Sequence, residues 1–134
     1  MSNFTIKDMS DLVYTVLSDI KDDGINNTEC VLRNPTTKST FPCRVIGTPL
    51  ESVTKSFNAI PIEKNFQISI EHWSNSQRES MDMSSLTDEK MREKNFIRIN
   101  TSNVWFDETT KKYIIRTTYE NRYYSVNDSF EVVR

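Results

Sequence analysis

The chain contains one histidine, His72, in the stretch "FQISIEHWSN" at residues 66–75, where a strand pattern runs into a helix cap. Imidazole is the side chain best suited to proton transfer near neutral pH, so His72 is the first group to weigh as catalytic. No serine, cysteine or aspartate stands at a spacing that would make a nucleophile or metal motif with it. Alternation puts it on the apolar side of its strand, beside Ile70. His72 therefore reads as a scaffold side chain at the strand's end, hydrogen-bonded or partly exposed. A small enzyme pairing His72 with a carboxylate is kept as an alternative.

The other reactive residue types are no more promising. Two cysteines, Cys30 and Cys43, would approach one another if "ECVLR" and "FPCRV" form a hairpin about "NPTTK". Lacking the spacing of a redox pair or a four-ligand zinc site, they read as reduced, half-buried thiols. Carboxylates abound in "MDMSSLTDEKMREK", but they interleave with Lys and Arg at helical spacing, which is the pattern of a solvated face. Gly24 and Gly47 are the only two glycines, so neither a P-loop nor a dinucleotide fingerprint can be built. Tyr113, Tyr119, Tyr123 and Tyr124 lie near Arg116 and Arg122 and could stack bases; cross-strand pairs and an interface patch fit the acidic balance better. The expectation is a protein that is not an enzyme, with no catalytic, cofactor-binding or metal-binding residue.

Its 134 residues suit one domain spanning 1–134, with one core. The apolar fraction is 36%, below the roughly 45–50% of an average soluble domain. That core is modest, which raises the expectation of an oligomer completed by neighbours. The formal charge is −2 and the basic residues are scattered, so counterion release has no patch to act through and nucleic-acid binding is not expected. The opening "MSNFTIKDMSDLVYTVLSDI" has acids inside its apolar pattern and reads as neither signal peptide nor membrane span. Synthesis in a cytosol is expected, which leaves Asn-x-Ser/Thr matches such as "NNT" at 26–28 without meaning as glycosylation sites.

The elements that must position any site follow from periodicity. Ile6, Met9, Val13, Val16 and Ile20, widened by Leu12 and Leu17, predict an amphipathic helix over about 5–22, with Thr5 and Asp8 as a capping box and Gly24 as its stop. The hairpin of "ECVLRN" and "TFPCRVIG" follows, with Pro42 at an edge or a strand start. Residues 47–65 hold two prolines and no steady period, and are expected to form a long irregular excursion. The strand "FQISIEHW" turns Phe66, Ile68, Ile70 and His72 to one face. Ser74 and Gln77 are expected to cap a polar helix whose apolar side is Met81, Met83, Leu86 and Met91 and whose left-handed cap is Asn95. The strands "NFIRIN" and "SNVWFDE", a turn over "DETTK", the strand "KYIIRTTYENRYY" and a tail "SFEVVR" complete an α+β fold, a mainly antiparallel sheet with both helices packed against it.

This order of elements, with a strand that breaks at "HWS" into a helix, the helix exit "REKNFIRI" and the tyrosine-rich closing strand "YIIRTTYENRYY", resembles the tail terminator proteins of long-tailed bacteriophages, also called tail completion or tail-to-head joining proteins. The resemblance covers most of the chain and departs from the family pattern at 47–65. It implies a structural virion protein that forms a hexameric ring on the tail tube. Such a ring ends tube polymerisation and offers a docking surface to the head-side neck or connector protein. Its partners would be further copies of itself, the major tail tube protein and that neck protein, while DNA passes through the channel without specific binding. No membrane, cofactor or catalysis is implied. The location would be the virion's tail and neck, and the host bacterial cytoplasm during assembly. In that setting the "WFDETTKK" tip is the expected contact, with Trp105 and Phe106 as anchors and Asp107, Glu108, Lys111 and Lys112 as orienting charges. Another neck component, a stopper or adaptor, is the nearest alternative; a host-directed binding module is a further one.

Overall fold

A computed structural model describes residues 4–18, 20, 29–31, 35–36, 41–58, 60–124 and 129–130. Two long strands form its spine. β4 (Ile60–Ser74) and β7 (Lys112–Tyr124) pair antiparallel from Glu63 opposite Tyr124 to Ser74 opposite Tyr113. Outside β4 lie β2 (Cys43–Ile46) and then β3 (Leu50–Phe57), one after the other and both antiparallel to it, with β1 (Glu29–Val31) added beyond β2. Outside β7 lie β8 (Ser129–Phe130), β5 (Ile97–Thr101) and β6 (Trp105–Asp107). The result is the expected α+β fold, a mainly antiparallel sheet with α1 (Ile6–Ser18) and α2 (Gln77–Glu93) on one face.

The main core lies under α1. Met9, Val13, Leu17 and Ile20 are buried against Phe66, Ile68 and Ile70 of β4, Tyr119 and Tyr123 of β7, and Met91 of α2. Thr5 starts α1 as predicted, its hydroxyl accepting from the Asp8 amide (3.2 Å) while Asp8 accepts from the Thr5 amide (2.9 Å). The Thr5 amide and then its hydroxyl, each donating to Asp8 Oδ2 at 2.9 Å, hold the Asp8 carboxyl below the ordinary carboxylate value. Asn95 ends α2 at φ 67°. Asn95 N–H reaches Arg92 O, Phe96 N–H reaches Met91 O, and buried Phe96 and Met91 share one cluster, which is a Schellman arrangement. No helix among the described residues is long and apolar enough to cross a membrane.

Four expectations need correcting. β1 and β2 pair parallel, Glu29 opposite Cys43, so "ECVLRN" and "TFPCRVIG" form no hairpin. An Asn-Pro turn signal says that the chain bends, not which edge it rejoins, and a parallel return needs a crossover of about a dozen residues. Cys43 is a buried free thiol, and Pro42 immediately precedes its strand. Within 47–65, residues 50–57 and 60–65 are strand: β3 ends at Phe57, Asn58 follows at φ 49°, and β4 begins at Ile60 rather than Phe66. Every residue of β3 is exposed, so no face of it needed an apolar repeat. Gly47 permits the handover from β2 to β3, because its amide bonds to Ser69 O (2.8 Å) and an added Cβ would stand 3.1 Å from that oxygen. The cap of α2 is Ser76, which accepts from the Glu79 amide (3.1 Å), while Ser74 instead reaches Ser76 O and the Ser80 hydroxyl. Met81 is exposed, and the inner face of α2 is Ser80, Met83, Ser84, Thr87 and Met91. The Gly24 stop of the first helix lies outside the described residues.

Burial pushes the Tyr119 phenol up from 10.0 to about 12. The folded chain then keeps a proton that the unfolded chain releases near pH 10. This contribution to stability is complete below pH 10.0 and is lost as pH rises through about 12. Urea titrations at pH 9, 10, 11 and about 12 are expected to show falling stability in the parent and a shallower fall in Tyr119→Phe. At neutral pH the phenylalanine variant should hold parent stability within about 1 kcal/mol, since the buried hydroxyl it removes has no partner at hydrogen-bond distance among the described residues.

Candidate functional site

The face of the sheet away from the helices carries a cleft, and strand alternation assembles it. Trp105, Ile114 and Trp73 stand side by side on β6, β7 and β4. Two residues along, Arg116 stands opposite Glu71; two residues the other way, Lys112 stands opposite Asp107. Because successive side chains point to opposite faces, all seven share one side. Trp73, Trp105, Glu71, Asp107, Ile114 and Pro35 line a concavity of about 380 Å³, floored by buried Ile114 and Trp73. Behind Trp73, Cys43, Val45 and Ile114 form a second apolar cluster with Phe41 against it.

The charges in the cleft are held in place. Glu71 accepts from Trp73 Nε1 (3.1 Å) through one oxygen and from Arg116 Nη2 (2.7 Å) and Nε (3.2 Å) through the other. Arg116 also sets its guanidinium over the Trp105 ring, 5.4 Å from the centroid. Asp107 Oδ2 accepts from the Thr110 hydroxyl (2.6 Å) and amide (2.9 Å). Those two bonds, the hydroxyl's first, hold its carboxyl below the ordinary value. A carboxylate stabilised in this way is a weak base, and its hydroxyl partner is spent on closing the turn. Among the described residues no group of three His, Cys, Asp or Glu side chains could hold a metal ion.

The structure divides the tip residues singled out in the sequence. Trp105 and Asp107 enter the cleft. Phe106 points to the other face and meets Tyr113 edge-on at 5.0 Å. Glu108 and Lys111 are exposed in the turn, Lys111 at φ 61°. Lys112 is on the cleft side, bonded to Asn75 Oδ1 and 4.9 Å above the Phe41 ring. Glu71, Trp73 and Ile114 were not anticipated as site residues, and Arg116 was weighed only beside the tyrosines of its strand. Their signal is the matching alternation of "EHW", "WFD" and "IIR", which becomes informative only once the register between strands is known.

His72 belongs to the opposite face and is buried. Nδ1 faces the Ile115 carbonyl (3.0 Å), an acceptor only, so that nitrogen carries the proton. Nε2 lies 2.8 Å from the Thr87 hydroxyl, which also accepts from Arg44 Nε (2.8 Å). Arg44 Nη2 donates to Met83 O (3.1 Å) and the Arg44 side chain is fully buried. Ser80 continues this seam, donating to Tyr113 O (2.9 Å). Both ring nitrogens of His72 are thus engaged between α2 and the sheet, and the histidine acts as a packing group. Thr87→Val removes the shared hydroxyl and is expected to cost roughly 2–4 kcal/mol in urea unfolding, while Ser85→Ala on the exposed side of α2 stays within about 0.5 kcal/mol.

Neither any protein-family model nor any curated protein matches this chain.

Proposed function

We propose that the chain is a subunit of a hexameric ring at the head-proximal end of a phage tail tube, where it ends tube polymerisation and joins tail to head. The observation that carries this reading is the β3–β4 arm. Leu50 is 67% exposed, Val53 49% and Phe57 68%, on a strand whose residues are exposed on both faces. At the far side of the sheet, β5 leaves Ile97 and Ile99 nearly half exposed. Among the described residues β3 pairs only with β4, and β5 only with β7. Open edges bearing apolar side chains invite pairing with another chain.

Strand direction favours copies of the same chain. Along β3–β4–β7–β5 the strands alternate, so the two outer ones run in opposite directions. A second copy brought alongside by rotation places its β5 antiparallel to this β3. Such a head-to-tail contact closes into a ring when the rotation allows. The order of elements, from N-terminal helix to tyrosine-rich closing strand, supports the terminator reading of that ring. The acidic balance suits a channel through which DNA slides without adhering.

Electron microscopy of particles assembled with the gene inactivated tests the reading. The expected outcome is filled heads without tails beside free tails of abnormal length. Tailless heads beside finished tails of normal length would assign the protein to the head side of the neck, and normal infectious particles would remove both structural roles. In the purified protein, Phe57→Asp should leave subunit stability within about 0.5 kcal/mol while abolishing ring formation on tail tubes.

A further inference from the structure

We propose that the Trp73–Trp105 cleft receives an arginine side chain from a partner protein. This inference rests on reading the β6–β7 tip as a partner-binding surface and not on the identity of the ring's neighbours. Charge favours such an occupant: two carboxylates, Glu71 and Asp107, line the cleft, while the two basic residues described on the same face are engaged elsewhere, Arg116 by Glu71 and the Trp105 ring and Lys112 by Asn75 and the Phe41 ring. Glu71 is already matched by Arg116 at 2.7 Å. Among the described residues Asp107 forms no ion pair, and its Oδ1 accepts no hydrogen bond. The turn bonds to Thr110 keep that carboxylate ionised well into the acid range. A negative charge is therefore available at the rim with its outer oxygen open.

Shape and surface point the same way. Two indoles flank an isoleucine floor, and indole is the aromatic ring that attracts cations most strongly. The volume of about 380 Å³ takes a long side chain with its flanking backbone. A guanidinium is planar, stacks on rings and presents forked donors to a carboxylate, whereas an ammonium is a compact and strongly hydrated point charge. The protein displays the same chemistry internally: Arg116 lies over Trp105 while bonding to Glu71 with two nitrogens. An incoming arginine would repeat that arrangement against Asp107.

The chain has two tryptophans, and both line the cleft, so intrinsic fluorescence of the full-length protein reports on the site directly. Titration with N-acetyl-arginine amide at constant ionic strength is expected to shift the emission saturably, with a Kd on the order of 1–10 mM for an isolated side chain. The citrulline analogue, isosteric and uncharged, should leave the emission unchanged. Asp107→Asn, which keeps an oxygen for the Thr110 turn, should weaken binding about tenfold. Trp105→Leu, with Trp73 retained as reporter, should weaken it about fivefold. An absent or non-saturable response overturns the proposal, as does equal binding of citrulline or unaltered affinity in both variants. Tighter binding of tetramethylammonium than of the arginine derivative would assign the cleft to a small quaternary cation instead. Saturable arginine binding by a protein that plays no part in tails would leave this inference standing and remove the ring; normal ring formation with an inert cleft would do the reverse.

Discussion

The pairing of β4 with β7 is the constraint on which the remaining structure depends. Twelve residue pairs in continuous register determine the face to which each side chain of either strand points. A slip of β4 by one residue against β7 would turn Phe66, Ile68 and Ile70 away from the helices and carry Glu71 beneath them, while Tyr119 and Arg116 stayed where they are. The register is locked from both sides. The helix face buries the main apolar cluster, and the open face joins Glu71 to Arg116 and the Ser69 hydroxyl to that of Thr118 at 2.9 Å. Every other strand reads its position from this pair.

A chain with only 36% apolar residues cannot cover a sheet of this length with hydrophobic packing alone. The layer between α2 and the sheet shows how that shortage is met. Under α1 the contacts are apolar, whereas under α2 they pass through Arg44, His72, Thr87, Ser74 and Ser80 to one another and to backbone carbonyls. Burying these groups stabilises the fold only if each finds its partner, because an unmatched buried donor costs more than a matched one contributes. Such a seam therefore fixes the position of α2 more than it adds to net stability. The polar residues of α2 that looked like a solvated helix are in part its buried face.

Where an element had one buried face, the sequence made it legible. The stripe Met9, Val13 and Leu17, the strand from Phe66 to His72, the Asn95 cap and the alternation of β7 are all present as patterned. Two kinds of feature escaped. β3 is exposed on both faces and so carries no period to detect, and its polar residues, with Pro49 before it and Pro61 after it, resembled a loop. The inner face of α2 sets serine and threonine between Met83 and Met91, and the partners of Thr87, Arg44 and His72, arrive from strands distant in sequence. The candidate cleft was half legible for the same reason. Trp105 and Asp107 were identifiable as residues of a tip, but the row Trp105–Ile114–Trp73 is a property of register across three strands.

The two surfaces assigned to binding lie at opposite ends of this spine. The arm occupies the beginning of β4 and its turn, and the cleft occupies the last residues of β4. Thirteen residues separate Ile60 from Trp73, roughly 40 Å along an extended strand. A subunit that joins copies through the arm keeps the arm's half of that contact clear of the cleft, so the β3 side of lateral assembly and capture of a second protein draw on different residues. The stiff β4–β7 ladder holds the two in fixed relation, and closing a ring would present one cleft per subunit at a common height. Weak single-arginine sites repeated around such a ring bind a matching ring with an avidity far above that of each cleft alone, provided that the spacing of the two rings agrees. Isolated subunits would hold such a partner only weakly, so a strong junction would form after the ring has closed.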